Sequence, residues 1–241
     1  MRRFAESMPW AEDRGFAISA ALDSRMAFVR RTYAHLLGEL AGVALVTFIA
    51  LRTPALESLA TAMLTKPLLY VVGFFGVSLL TRAMLAGQKS MAIQYSAAAI
   101  WVFFLGLLVT PFAVWARIQT GSYTIMGEAA ILTGCVFTGI TAYVFFTKKD
   151  FSFLGGALWM ISWIAFGLGM ILAIFGGFGN QTALFYSCGM VILMGGWVLY
   201  DTSKVLHHRH VNEHVAASVD LLVDFVYMFI YIVSILLRSR R

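Results

Sequence analysis

Residues 153–175 read FLGGALWMISWIAFGLGMILAIF, without one charged side chain, and from Trp163 to Phe175 every position is apolar. A bilayer's hydrocarbon core is ~30 Å thick, which ~20 helical residues cross. Within it the backbone must satisfy its own hydrogen bonds, so a span is either a helix or a strand of a closed barrel. Barrel strands alternate apolar and polar positions, and this stretch does not alternate. It therefore predicts a transmembrane helix.

The same signature recurs on both sides. Further spans are expected at 33–51, 67–85, 91–115, 124–146, 182–206 and 215–237. The predicted fold is an all-α, seven-helix transmembrane bundle occupying residues 31–241, preceded by a mixed-charge arm over residues 1–30 with a short interfacial helix near Phe16–Leu22. Pro67 suits the first turn of its span, where its missing N–H is no loss. Pro111 is expected to kink or end the third span. Composition agrees: 60% of the 241 residues are hydrophobic, only 12% are charged, and the mean hydropathy is +0.81. Soluble domains carry about twice that charged fraction. The net charge of +6 sits at span ends and implies lipid headgroups, not nucleic acid, as the polar partner. Glu6, Glu12, Asp13 and Asp23 interrupt the N-terminal region, so no cleaved signal peptide is expected. Cys135 and Cys188 are read as small buried packing residues.

Lys and Arg set the expected orientation. With the N-terminus cytoplasmic, twelve fall inside: Arg2, Arg3, Arg14, Arg25, Arg30, Arg31, Arg82, Lys89, Lys148, Lys149, Lys204 and Arg209. Arg52, Lys66 and Arg117 fall outside. The positive-inside rule favours this arrangement, yet seven spans leave Arg238, Arg240 and Arg241 on the wrong side.

Ionisable residues at membrane depth are costly and mark function by default. Those inside predicted spans are His35, Glu39, Arg82, Glu128, Asp201, Asp220 and Asp224. His35 and Glu39, four apart, read as an interfacial pair near the headgroups. Glu128 lies in a first helical turn, where the dipole favours an anion. Asp201 lies near a helix C-terminus, where dipole and desolvation both oppose an ionised carboxyl. Asp220 and Asp224 share one face of the last span. Two carboxyls brought together in a low-dielectric site cannot both ionise easily and titrate as a unit, the chemistry of a proton-sensitive latch. Counting 1.5 Å per residue places Asp201 ~8 Å, Asp220 ~8 Å and Asp224 ~14 Å deep, which pairs Asp201 with Asp220. Arg82 is the cation expected to hold the ionised form. The histidines His207, His208, His210 and His214 read as a solvated or pH-responsive loop, not a metal site. Gly38-x-x-x-Gly42 and Ala165-x-x-x-Gly169 permit close helix contacts and leave the oligomeric state open.

Four segments together resemble the Bax inhibitor-1 family. They are Arg31-Thr32-Tyr33, which resembles bacterial members; Lys148-Lys149-Asp150-Phe151-Ser152-Phe153-Leu154-Gly155-Gly156; Leu199-Tyr200-Asp201-Thr202; and Asp220-Leu221-Leu222-Val223-Asp224-Phe225. The resemblance implies a seventh helix enclosed by the other six and location in a bacterial inner membrane. It further implies a pH-sensitive calcium leak gated by Asp201 and Asp224, with Arg82 as the latching arginine; Asp220, which the depth count pairs with Asp201, is a further candidate acid of the ion path. The second predicted span lacks an acid that some bacterial members carry there. Calcium is the implied permeant ion; no catalytic residue, bound cofactor or resident metal is expected. The alternative is a non-conducting regulator of membrane-protein quality control or cell death that binds a membrane-embedded AAA protease. An intramembrane aspartyl protease is disfavoured, since its paired Tyr-Asp and Gly-x-Gly-Asp motifs are missing.

Overall fold

The computed structural model describes residues 22–85, 90–174 and 179–240. These form α1 (Leu22–Ala50), α2 (Pro54–Thr65), α3 (Pro67–Leu85), α4 (Met91–Thr120), α5 (Thr124–Thr147), a 3-10 turn (Ser152–Leu154), α6 (Gly155–Ile174), α7 (Asn180–His207) and α8 (His214–Ser239), with no strand among the described residues. Six helices are long and apolar enough to cross a membrane, and α2 with α3, meeting at 98°, supplies a seventh if counted as one broken span. The chain is an all-α polytopic membrane bundle.

Its surface is that of a protein in hydrocarbon. Leu37, Ile131, Phe146, Phe153, Ile164, Phe185 and Ile192 stand largely uncovered, a display that water would not tolerate over so wide an area. α6 is the most peripheral of the spans, with Leu158 its one buried apolar side chain among the described residues. The interior belongs to α8 and α4. α8 packs on α1, α4, α5 and α7 and buries residues on every turn. It is central, as the resemblance implies, but shares the centre with α4, whose run Phe104–Pro111 is buried without a break.

Several expectations need correction. Residues 52–66, expected as a loop, contain α2: Pro54 takes the first helical position, and Leu56, Ala60 and Met63 recur on one face, which packs on α4. The first span begins at Leu22, so residues 22–30 of the expected arm are helical and Phe28 lies in the core. The interfacial helix near Phe16–Leu22 lies almost wholly outside the described residues. α4 passes through Pro111 to Thr120. In the turn before that proline, Thr110 Oγ1 (2.8 Å) and Thr47 Oγ1 (3.1 Å) both donate to the Gly106 carbonyl, so polar groups near the break are held by hydroxyls, as in other interrupted spans. Cys135 and Cys188 are exposed, not buried; a thiol is apolar enough to face lipid.

The glycine patterns serve contacts within the chain. A Cβ added at Gly42 would lie 2.9 Å from Val102 Cγ1, and one at Gly106 2.5 Å from Val46 Cγ1, so α1 and α4 meet nearly backbone to backbone. Gly38 has open space around it. Gly169 makes room for the Tyr186 hydroxyl, which donates to the Ala165 carbonyl at 3.1 Å.

The bundle has two ends: a near end carrying the 208–213 turn, and a far end carrying the C-terminus of α8. At the far end Arg240 pairs with Glu128, at the start of α5. The Arg238 guanidinium lies 5.0 Å from the centroid of the Trp115 ring, and Arg117 pairs with Glu57 at 3.6 Å. α5 has no acid in its first turn, and Glu128, its fifth residue, lies past the place the dipole expectation gave it; what it holds is one of the arginines that the charge count had placed on the unfavourable side.

Candidate functional site

α7 and α8 are joined by a tight turn. His208 and Arg209 both donate their backbone N–H to the Lys204 carbonyl, at 2.9 and 3.0 Å. This closure folds Arg209 back onto α8, where its guanidinium meets the Asp220 carboxylate and, at 3.6 Å, Glu213. Lys204, three residues beyond Asp201 on the same face of α7, reaches Asp201 Oδ1 at 3.5 Å and Asp220 Oδ2 at 3.7 Å. Deeper along α8 lies Asp224, one turn beyond Asp220 and buried like Asp201 on the adjoining helix α7. Asp201 and Asp224 are only 7% and 5% exposed, whereas the Asp220 side chain is 36% exposed. Asp224 Oδ2 is enclosed without a hydrogen-bond donor among the described residues.

The three predicted acids lie at the same end of the α7–α8 pair, where Lys204 links Asp201 to Asp220, and Asp224 is buried one turn further along α8. Two carboxyls can hydrogen-bond to each other only with a proton between them, so neighbouring acids in a dry site titrate as a unit. Arg82 does not join them. It is exposed on α3 and makes no ion pair among the described residues. The cations that bear on the acids are Lys204 and Arg209. Their signal was present in the sequence, since Lys204 follows Asp201 at helical spacing, but a charge near a span end reads first as a headgroup contact.

Neighbouring polar groups fix the frame. Asp150, in the Lys148–Gly156 motif, accepts the Ser152 N–H at 2.9 Å, the Ser203 hydroxyl at 3.3 Å and a His208 ring contact at 2.8 Å. Ser203, adjacent to Lys204, also accepts the Phe151 N–H at 2.8 Å. Burial pushes the Asp150 carboxyl up slightly, but bonds from the Ser152 N–H, His208 and the Ser152 hydroxyl outweigh it and hold the group at about 2. The motif thus clamps the α5–α6 connection to the end of α7. Tyr33 of α1, Thr141 of α5 and Thr202 of α7 bury hydroxyls that have no hydrogen-bond partner among the described residues.

The opposite face of α8 meets α1. Ser218 Oγ donates to Glu39 Oε1 at 2.8 Å, and the His35 ring lies 4.9 Å from that of His214 and bonds Tyr95 at 2.9 Å. His35 and Glu39 are therefore contacts between helices, not a headgroup pair. The histidine loop is divided: His208 joins Asp150, His207 bonds the Ser203 carbonyl at 2.9 Å, and His214 is buried against α1.

Comparison with known proteins places this geometry in a lineage. The chain is 30% identical to Bax inhibitor 1 of Schizosaccharomyces pombe over 234 residues, covering 97% of this chain and 82% of that protein. It is 27% identical to Protein lifeguard 4 of Mus musculus over 218 residues (90% and 87% of the two chains). It is also 27% identical to the Golgi anti-apoptotic protein of Vaccinia virus (strain Lister) over 226 residues (92% and 90%). Residues 25–241, which include every acid of the cluster and the helices that carry them, match the family described as Inhibitor of apoptosis-promoting Bax1, and the chain belongs to this Bax inhibitor-1 family.

Proposed function

We propose that this chain is a pH-sensitive cation leak, with calcium as the permeant ion, gated by the Asp201–Asp224 pair. The observation that carries this reading is a pair of buried carboxyls on the packed helices α7 and α8, with an Asp224 oxygen enclosed without a donor among the described residues. An asparagine at either position could bond the other acid without a proton between them; two acids bond only with one. Proton occupancy then sets how closely α7 and α8 are held, because like charges at contact distance in a low-dielectric site repel strongly. Asp220, partly exposed at the near end, offers a cation its first carboxylate. Lys204 takes the latching role that the resemblance gives to Arg82, competing with an arriving cation for Asp201 and Asp220. The Lys and Arg count supports a cytoplasmic near end and N-terminus, in a bacterial inner membrane. Calcium flux into proteoliposomes should change between neutral and acidic pH, and Asp224→Asn should flatten that profile. A variant that kept the wild-type profile would exclude the pair as the gate.

A second reading is favoured by the relatives' names, among them Bax inhibitor 1 and Golgi anti-apoptotic protein. It makes this chain a non-conducting regulator of cell death or of membrane-protein quality control, bound to a membrane-embedded AAA protease. The test is co-purification of such a protease and its loss on deleting residues 1–21, a truncation that stops short of the buried Phe28.

A further inference from the structure

Between α1 and α4, on the outer face of the bundle, lies a cleft of about 670 Å³, within the size range of small-molecule sites. Its cause is in the sequence. A Cβ at Gly42 would strike Val102, but one turn nearer the near end a Cβ at Gly38 would meet nothing within 4 Å, and Ala98 and Ala99 opposite are too small to fill the gap. Past Glu39 the walls are apolar as far as Val46 and Phe103, ~10 Å along α1 at 1.5 Å per residue. Tyr95 and Phe103 are exposed, so the cleft opens on lipid. Its near-end mouth is polar. The His35 ring is fully engaged, Nδ1 donating to the Arg31 carbonyl at 2.7 Å and Nε2 bonding the Tyr95 hydroxyl at 2.9 Å. The Tyr95 oxygen keeps a lone pair free. Glu39 Oε1 accepts the Ser218 hydroxyl at 2.8 Å, but Oε2 is enclosed with no hydrogen-bond partner among the described residues.

An enclosed carboxyl oxygen without a partner is costly, and a ligand group at the mouth relieves that cost. Glu39 stands level with Ser218, four residues inside the start of α8, or ~6 Å, the depth of a lipid's glycerol and not of its phosphate. An ammonium would satisfy Oε2 only while the carboxyl is ionised, and a ligand carboxylate only while it is protonated. A hydroxyl does both, donating to a carboxylate or accepting from the acid, and a neutral head costs least to bring below the headgroups. The Tyr95 lone pair calls for a second donor beside it. We propose that the cleft binds a lipid of the monoacylglycerol class. The two free hydroxyls of its glycerol bond Glu39 Oε2 and the Tyr95 oxygen, and its single acyl chain lies along Gly42 and Val46 against Val102 and Phe103. The last torsion of a glutamate is broad, so a turn of the carboxyl brings Oε2 to the cleft surface that Glu39 already lines. The site lies on the opposite side of α8 from the acids of the proposed gate and does not depend on conduction.

The test is native mass spectrometry of the full-length protein in detergent, titrated with monooleoylglycerol and, in parallel, with methyl oleate, which has the same chain and no hydroxyl. One monooleoylglycerol is expected to stay bound at roughly tenfold lower concentration than methyl oleate, the ratio that about 1.4 kcal/mol of hydrogen bonding gives. Tyr95→Phe and Glu39→Leu should each weaken retention of monooleoylglycerol several-fold and leave that of the ester unchanged. Gly38→Leu fills the cleft from a position with open space around it. It should abolish retention of monooleoylglycerol with no fall in melting temperature, which separates a blocked site from a damaged fold. Equal retention of the two lipids, as in an ordinary lipid coat, would overturn the proposal. So would Gly38→Leu protein that binds like wild type, or a preference for oleate over monooleoylglycerol.

Discussion

Ser203→Ala removes one oxygen from the clamp that holds the α5–α6 connection against α7. Ser203 is fully buried, and its hydroxyl both accepts the Phe151 N–H at 2.8 Å and donates to Asp150 Oδ1 at 3.3 Å. Deletion leaves a part-buried backbone N–H without an acceptor, which costs ~1–3 kcal/mol. The Asp150 bond adds little, because that carboxylate keeps Ser152 and His208. The net expectation is a loss of about 2 kcal/mol. At ~2–4 °C per kcal/mol for a chain of this size, the variant should melt roughly 4–8 °C lower in detergent, read by tryptophan fluorescence. A double-mutant cycle with Asp150→Ala should show coupling of about 0.5–1 kcal/mol, the range for residues sharing a hydrogen bond. A melting shift under 1 °C in Ser203→Ala, with no coupling in the cycle, would refute the reasoning and leave the motif without an anchoring role.

Other substitutions probe the remaining contacts. The folded Asp150 carboxyl is held at about 2, below its ordinary value, so its stabilisation is present above the unfolded pKa and is lost as pH falls through the folded one. The group is 44% exposed, which trims the effect to about 0.5–1 kcal/mol. Asp150→Asn should therefore melt below wild type at neutral pH, with the gap closing as pH is lowered toward about 2 in thermal scans. Gly106→Ala should cost ~1–3 kcal/mol by forcing α1 from α4, while Gly38→Ala, with open space around its Cβ, should match or slightly exceed wild type; equal melting of the two would contradict the close approach. Glu128→Arg should lower stability by up to ~1 kcal/mol and be rescued by the added Arg240→Glu, since this pair is half-exposed; no rescue would show that the ion pair is incidental.

The elements and the acids were legible in the sequence for different reasons. Continuous apolar runs identify spans whatever surrounds them, and Pro67–Leu85 appears as a helix with those bounds. α2 was not legible in the same way: its 12 residues are too few to cross a bilayer, and only its packing on α4 fixes it as a helix. Asp201, Asp220 and Asp224 stood out because acids are rare at depth. Lys204 did not: its helical spacing from Asp201 was in the sequence, but its reach to Asp220 depends on the turn at 208–213, which no helical period encodes. The roles of His35 and Glu39 failed for a related reason. Helical spacing shows that two residues share a face, but not whether that face meets lipid headgroups or a central helix.

The arginines at the end of α8 show how such a conflict is settled by packing. Taken one segment at a time, a span with two internal acids and cations at its far end is a poor membrane helix, and the charge rule would turn it back. That rule describes a helix surrounded by lipid and water. α8 instead meets α1, α4, α5 and α7. Its acids face Lys204 and Asp201, and its terminal cations face Glu128 and the Trp115 ring. Asp220, Arg238 and Arg240, three charges that would oppose insertion of α8 alone, thus each have a partner on another element, so insertion of α8 is expected to depend on helices already in place. Cutting the partners is the direct check. Glu128→Ala combined with Trp115→Leu should reduce crossing by α8, visible as altered accessibility of a C-terminal tag in intact cells, whereas either change in a helix that α8 does not touch should leave the tag where it was.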